Sequence, residues 1–364
     1  MSKIVFPENI GVTEYGTVRL GKDYIADGND RTRRARIRFQ THAHRDHTSG
    51  WLKNIRPGRA LVTSKPTIEL LGLDYPNVHK NGNIVPLLHN QEIESKGLIS
   101  SKFQMDWEIE NSDISLFDAN HMVGSSQVLV KNRATGVTSL YSGDIGWPLE
   151  TIPNADVLIL DSTYSKLDTS DDKNWNRQDA VDRLLQLISS NLSVKPIYIY
   201  ARFGIMQEII VKILENIDSE INFVGSDEII SKTNIISTYL SSSPTKIINE
   251  KEKYNFNNVI HLKEFHKKQN ESLNGLNITI SNFNPQNNAP DRESSDGDYI
   301  NVLLALTNHA SGEDLANYIQ SVNPKYIITD SARNASNANK LADQIMNKFK
   351  ILSIPSSLSS VWKD

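Results

Sequence analysis

The sequence predicts a mixed α/β protein built from two parts, and three observations lead to this fold class. Strand-like segments dominate residues 1–165, among them ISLF at 114–117 and VLIL at 157–160. From about residue 177, segments with helical spacing alternate with apolar strands, as is typical of α/β units. A polar stretch rich in Asn, Pro and Ser at 284–298 then predicts a mobile loop or a domain junction before the last segment.

The strands of the first part each have their own signal. ARIRF at 35–39 alternates apolar and basic residues, so we expect a strand whose Arg36 and Arg38 point away from the core onto an exposed face. SQVLV at 126–130 and SLYS at 139–142 are separated by a segment containing Ala-Thr-Gly, which suits a hairpin turn. These signals favour an antiparallel region ahead of the strand VLIL.

The later elements alternate between the two types. Helical spacing is seen over 181–188 and 205–213, and apolar strands are predicted at IYIY (197–200), INVLLAL (300–306) and KYIIT (325–329). A helix is predicted to begin near Ser311 or Gly312, between the last two strands. The second part is therefore predicted to be an α/β unit, after which the chain returns to the first part of the fold.

Composition limits the chemistry. The chain has 364 residues, 38% hydrophobic and 23% charged, which suits one large domain or two modest ones. Zero cysteines exclude disulfides and thiolate ligands, so any reaction must use His, Asp, Glu or hydroxyl groups. The net charge of -4 argues against a surface that binds nucleic acid over its whole area. No apolar run of membrane-span length and no signal-peptide pattern is seen, so we expect a cytoplasmic protein without a membrane partner.

The segment THAHRDHTSG at 41–50 concentrates three of the nine histidines. Because alternating residues of an extended segment point the same way, His42 and His44 can converge on one metal ion. Asp46 and His47 in the following turn can reach a second. Imidazole and carboxylate suit zinc, with manganese or iron possible where oxygen ligands accumulate. The alternative is a surface turn that is histidine-rich by chance.

Two further candidates follow predicted strands. His121 comes after ISLFDAN, and Asp144 comes after SLYSG. A carboxylate at the second position could bridge two metal ions held about 3.5–4 Å apart. Either residue alone would more often be an ordinary polar loop residue with satisfied hydrogen bonds.

Three segments in this order, HAHRDH, NHMVGSSQVLV and YSGDIGW, resemble the metallo-β-lactamase superfamily. VLILDSTYS at 157–165, HMVGSSQ, YIYARFGIMQEII and LTNHASGEDLANYIQSVNPKYIITD resemble segments of its β-CASP nuclease group. The resemblance implies an αββα sandwich formed by residues 1–165 and 299–364, with a β-CASP-like α/β insertion at 166–298. It also implies an active-site cleft between the two.

The resemblance assigns roles to individual residues. One metal ion would be held by His42, His44 and His121, the other by Asp46 and His47, with Asp144 between them; Asp46 also counts among the catalytic residues. His309 would protonate the leaving oxygen, and Asp161 would orient it. KDYIADGND is similar to a segment of the DNA ligase-associated exonuclease branch, which nominates Asp27 as a supporting acid. The implied cofactors are two divalent metal ions, zinc in the first place and manganese as the alternative.

The chain departs from the family pattern at Asp330. RNA-directed members of the group carry a histidine there as a further metal ligand, and DNA-directed eukaryotic members often carry valine. Here the segment reads Thr-Asp-Ser. A carboxylate can still ligate zinc, so Asp330 is included among the expected ligands. The alternative is a capping or turn aspartate.

The function that the resemblance implies is hydrolysis of nucleic-acid phosphodiester bonds by a metal-bridging hydroxide, as an exonuclease or an endonuclease. RNA is favoured over DNA as the substrate. Two alternatives stay open. One is a catalytically silent or weak nucleic-acid-binding homologue, and the other is a metallo-hydrolase acting on a small thioester or lactone.

Overall fold

Three multi-stranded sheets and six α-helices are seen in the part of the chain that the computed structural model describes, which makes the protein mixed α/β as predicted. The described residues are 8–29, 35–49, 59–76, 83–98, 109–167, 177–218, 220–240, 247–253, 258–265, 273–281, 291–296 and 299–363. The chain divides into two units, one formed by Met1–Thr169 with His309–Asp364 and the other by Ser170–Asn308.

The first sheet of the first unit has six strands, paired in sequence order within the described residues. They are β1 (Ile10–Val12), β2 (Val18–Leu20), β3 (Tyr24–Ala26), β4 (Ile37–Phe39), β5 (Ala60–Thr63) and β6 (Asn83–Pro86). The pairs β1–β2 and β2–β3 are antiparallel, and the pairs from β3 to β6 are parallel. The loop after β4 therefore leaves the sheet at the carboxyl edge of its parallel strands.

The second sheet of this unit has the strand order β20-β19-β11-β10-β9-β8-β7 over the described residues. Its strands are β7 (Glu92–Glu94), β8 (Ser112–Asp118), β9 (Ser126–Asn132), β10 (Thr138–Tyr141), β11 (Val157–Leu160), β19 (Tyr326–Thr329) and β20 (Leu352–Pro355). The predicted hairpin is confirmed, since β9 and β10 pair antiparallel. Beyond β10 the strands are parallel, and β11 lies between β10 and β19.

The two sheets of the first unit share one apolar core. Phe39 of the first sheet and Leu116, Val128 and Ile159 of the second are fully buried in it. Helix α1 (Lys65–Asp74) packs on the far side of the first sheet, where Leu71 meets Leu61. Helices α5 (Gly312–Val322) and α6 (Ser331–Phe349) pack on the far side of the second. The unit therefore has four layers in the order helix, sheet, sheet, helices.

The second unit contains one sheet, with the order β14-β13-β15-β12-β16-β18-β17 in the described residues. These strands are β12 (Ile197–Ala201), β13 (Asn222–Gly225), β14 (Ile248–Asn249), β15 (Val259–Glu264), β16 (Gly275–Ser281), β17 (Asp291–Asp296) and β18 (Tyr299–Ala305). Its helices are α2 (Arg177–Asn191), α3 (Ile205–Asn216) and α4 (Asp227–Ser237). Pairing is parallel except between β17 and β18. Apolar residues of α2, α3 and the central strands form its core.

Two expectations about residues 284–308 differ from the structure. Residues 291–296 form strand β17 rather than a loop, because their backbone pairs with β18; residues 284–290 lie outside the described residues. The sequence places 299–308 with the C-terminal part of the first domain. In the structure they lie in the second unit, because β18 pairs along its whole length with β16.

The prediction that Arg38 of the ARIRF strand lies on an exposed face is wrong. Its side chain does point away from the apolar core, but only 1% of it is exposed. Nη2 of Arg38 donates a hydrogen bond to the carbonyl oxygen of Gly28 at 2.9 Å. Arg38 therefore fixes the chain beside Asp27.

Among the described helices, none is both long and apolar enough to span a bilayer.

Candidate metal centre

The histidine cluster lies in the loop that follows β4. The backbone turns at His44, whose carbonyl oxygen accepts hydrogen bonds from the amides of His47 and Thr48 at 3.1 Å each. Nε2 of His42 lies 3.1 Å from Nδ1 of His44. His42 is fully buried. The two imidazoles therefore converge, as the alternation in the sequence predicts.

His121 and Asp144 come to the same point from turns that follow β8 and β10. Nε2 of His121 lies 3.1 Å from Nδ1 of His44. Oδ2 of Asp144 lies 3.6 Å from Nε2 of both His42 and His121. Gly143 makes the second turn possible, since it has φ +58° and a Cβ there would lie 3.0 Å from the carbonyl oxygen of Ser126.

These four side chains have the geometry of a metal-binding group. Their ligand atoms all lie within 4.8 Å of one another. Tetrahedral ligands about 2.0 Å from a zinc ion are about 3.3 Å apart, and the nitrogen–nitrogen and nitrogen–oxygen distances of 3.1 and 3.6 Å bracket that spacing. Burial and the charge of His47 lower the pKa of His42 well below its usual value. A neutral imidazole is the form that binds a metal ion. The buried histidine–aspartate group could therefore hold a metal ion.

A second group joins Asp46 and His47 to the other oxygen of Asp144. Nε2 of His47 lies 3.0 Å from Oδ1 of Asp144 and 3.7 Å from Oδ2 of Asp46. It is buried and forms no hydrogen bond of good geometry, which suits a ligand atom. The Asp46 side chain is 64% exposed. Asp144 thus turns one oxygen toward each group.

Asp27 lies directly behind His47. Its Oδ2 is 2.7 Å from Nδ1 of His47, accepts a hydrogen bond from Oγ1 of Thr41 at 2.7 Å and another from the hydroxyl of Tyr141 at 3.1 Å. Oδ1 accepts from the Thr41 amide at 2.9 Å. A carboxylate in this position fixes the ring orientation of the histidine.

Asp27 and His47 each shift the pKa of the other toward the charged form. Burial raises the pKa of Asp27, but the charge of His47 and hydrogen bonds from His47 and Thr41 outweigh it, so the pKa is lowered. Burial and Arg333 lower the pKa of His47, whereas Asp144 and Asp27 raise it; the result is a pKa of about 10 in the metal-free protein. Burial also raises the pKa of Asp144, yet His47 and His309 hold it well below its usual range.

His309 and Asp161 form a third group with Asp144. Nδ1 of His309 lies 2.9 Å from Oδ2 of Asp161, and its Nε2 lies 3.9 Å from Oδ2 of Asp144. Asp161 is held by its second oxygen, which accepts hydrogen bonds from the amide and the hydroxyl of Thr163. Burial lowers the pKa of His309, but the charge and hydrogen bond of Asp161 outweigh this and leave the pKa raised.

Asp330 is the sequence-predicted site residue that the structure does not bring into any of these three groups. It lies at the start of α6, where Oδ1 accepts a hydrogen bond from the amide of Ala332 at 2.8 Å. Its other oxygen accepts from Nη1 of Arg333. These are the contacts of a capping aspartate, which was the alternative left open by the sequence.

Arg333 is a residue of the site that sequence reasoning missed. Its Nη2 lies 3.1 Å from Nδ1 of His47 and its Nε lies 3.8 Å from Oδ2 of Asp46. Burial lowers its pKa, but Tyr141, Asp330, Asp144 and Asp27 outweigh this and raise the pKa well above its usual value. The available signal was the segment Asp-Ser-Ala-Arg, in which a basic residue follows a capping acid by three positions.

The polar groups of the turn at Gly124 and Ser125 are occupied by internal hydrogen bonds. Oγ of Ser125 accepts from the amides of His121 and Met122. The carbonyl oxygen of Gly124 accepts from Ser64 and Thr67 at the start of α1. The turn therefore positions His121.

The fold and the centre together define a mixed α/β protein with a buried histidine–aspartate group able to hold a metal ion. Comparison with known proteins finds no family model that matches this chain. It does find "Uncharacterized protein in lig 3'region" of Acidianus ambivalens, which is 33% identical over 136 residues, covering 36% of this chain and 91% of that protein. The chain belongs to the same family as this Acidianus ambivalens protein.

Proposed function

We propose that the protein is a metal-dependent nuclease of the metallo-β-lactamase type that hydrolyses phosphodiester bonds in RNA or DNA. The observation that carries the proposal is the His309–Asp161 pair beside the metal-binding group. The distance from Nδ1 of His309 to Oδ2 of Asp161 is 2.9 Å, and Nε2 of His309 lies 3.9 Å from Oδ2 of Asp144. A departing alkoxide needs a proton, and an imidazole held by a carboxylate can supply it.

The chain's own residues divide the work. His42, His44, His121 and Asp144 would hold a metal ion, and Asp46 and His47 would hold a second one with the other oxygen of Asp144. When bound, such an ion acts as a Lewis acid on the phosphoryl group and makes water a better nucleophile. His309 holds the proton at Nε2 and gives it to the leaving oxygen. Asp161 keeps the ring in the orientation that allows this transfer.

Three further observations support the class of enzyme. The four layers of the first unit are those expected of the αββα sandwich. The second unit fits the β-CASP-like insertion proposed for residues 166–298, with its limits moved to Ser170–Asn308. The Acidianus ambivalens relative is named for the 3' region of lig, a DNA ligase gene, which supports a nucleic-acid substrate.

The test is a cleavage assay on four substrates of matched sequence, RNA and DNA, each with a 5'-phosphate or a 5'-hydroxyl. Zinc or manganese is supplied in each case. We expect cleavage by the parent protein and its loss in His44→Ala and His309→Ala. Asp227→Asn is the matched control, because it removes an exposed ion pair with Lys251 in the second unit. Four intact substrates, or full cleavage by His44→Ala, would refute the nuclease assignment.

A further inference from the structure

Arg333 occupies an unusual position in the first turn of α6. The turn begins at the capping residue Asp330, and the helix is interrupted at Asn334, whose φ of -151° and ψ of 89° are not helical. Side-chain amides such as that of asparagine compete with the helix for backbone hydrogen bonds. The interruption directly follows Arg333, so the side chain leaves from a single turn anchored by Asp330.

Its guanidinium faces the second ligand group. One nitrogen is bound by Asp330, another lies 3.1 Å from Nδ1 of His47, and Nε lies 3.8 Å from Oδ2 of Asp46. Nε is buried and makes no hydrogen bond of good geometry. The Arg333 side chain is 21% exposed, so its charge is only partly screened by solvent.

A fixed positive charge opposes a second metal ion here. A guanidinium stays charged in proteins, so it cannot withdraw by losing its proton. Like charges a few ångströms apart repel strongly where water is largely excluded. Within the described residues this group contains two carboxylates, and it shares Asp144 with the first group. The other carboxylate, Asp46, has a side chain that is 64% exposed, so it is a weakly held ligand. Asp330, in which the family pattern would supply another ligand, is already bound to Arg333.

We infer that Arg333 supplies the positive charge at the second ligand group, and that the protein binds one divalent ion tightly, at His42, His44, His121 and Asp144. This inference rests on the proposed function and refines it, because it replaces the second ion by a residue of the chain. Arg333 then neutralises the carboxylates of Asp46 and Asp144 from a fixed position. A guanidinium also matches the geometry of a phosphate, so the charge remains useful to the same substrate class.

The test is the zinc content of the purified protein after loading and removal of weakly bound ions. We expect one equivalent for the parent protein and two for Arg333→Met, which keeps the length of the side chain and removes its charge. Arg333→Lys should hold one equivalent, because the charge returns. The double variant Asp46→Asn/Arg333→Met should also hold one, since the new site has lost a ligand.

A measurement on the parent protein tests the inference even if a variant fails to fold. A calorimetric zinc titration of the metal-free parent should show one tight step, with any second step at least about 100-fold weaker, a difference of two decades in affinity. Two tight equivalents in the parent, or one in a folded Arg333→Met, would overturn the inference. If the parent protein binds two ions tightly and cleaves nucleic acid, the inference about Arg333 fails and the proposed function stands. If it binds one ion tightly and cleaves no nucleic acid, the proposed function fails and the inference about the number of ions stands.

Discussion

Oδ2 of Asp27 lies 2.7 Å from Nδ1 of His47, and both side chains are fully buried. Removing one partner from a buried charged pair typically costs about 3 kcal/mol. We expect Asp27→Asn to lower the free energy of unfolding by about this amount. Urea unfolding measures the effect. Asp227→Asn, at an exposed pair, should leave the free energy of unfolding unchanged.

The same pair gives an acid-dependent stability. The pKa of Asp27 is lower in the folded protein than its usual value of 3.8, so the unfolded chain takes up its proton first as the pH falls. The contribution is therefore present above about pH 3.8 and is lost as the pH falls through the folded-state pKa. Melting of the metal-free protein across this range should show a weaker pH dependence in Asp27→Asn. An identical dependence in both proteins would contradict the charge assignment.

Gly28 should not tolerate a side chain. It has φ +56°, and a Cβ there would lie 2.3 Å from the backbone of Gly16. We expect Gly28→Ala to cost more than Gly136→Ala, which also has a positive φ but meets nothing within 4 Å. The control isolates the conformational penalty, which is about 1 kcal/mol. Equal unfolding midpoints for the two variants would show that the loop around Asp27 moves freely.

The pH dependence of cleavage should report on His309. Because Asp161 raises the pKa of His309, the rate should fall as the pH rises through that raised pKa. Asp161→Asn removes the carboxylate, so the falling limb should move to lower pH. His309→Ala should lose the limb and about 100- to 10,000-fold in kcat. If the falling limb lies at the same pH in Asp161→Asn as in the parent protein, the His309–Asp161 pair does not supply the proton.

Zinc should stabilise the protein and a chelator should reverse the effect. An ion that binds only the folded state adds about 4 kcal/mol when present at about 1,000 times its Kd. The gain in melting temperature should disappear in His44→Ala, which removes one of the four ligands of the first group. Magnesium prefers oxygen ligands and should give little gain. An equal gain from magnesium would argue against ligation by imidazoles.

The four residues of the first metal-binding group could be predicted because each follows a recognisable strand. His42 and His44 follow ARIRF, His121 follows ISLF, and Asp144 follows SLYS, so polar residues at strand ends indicate the site. Arg333 could not be found in this way. It lies in the first turn of a helix, and a basic residue in a helix usually faces solvent, so its sequence position does not indicate a site residue. Its contact with His47 spans 286 positions, which local patterns do not encode.

The fold was predictable where the apolar pattern was strong. VLIL, IYIY and INVLLAL are continuous apolar runs, which are typical of parallel strands, and each forms a strand in the structure. Strand β17, with the sequence DRESSD, has no such pattern and forms only through its partner β18. The placement of β18 likewise depends on its pairing with β16, and sequence spacing alone put it in the other domain.

The pairing of β11 with β19 has a consequence for biosynthesis. The ligands of the first metal-binding group lie between residues 42 and 144, but β19 and His309 follow the whole second unit in the chain. A chain grows from its N-terminus, so these ligands leave the ribosome well before the residue proposed to deliver the proton. Until β19 arrives, β11 is an open sheet edge and a site for aberrant pairing.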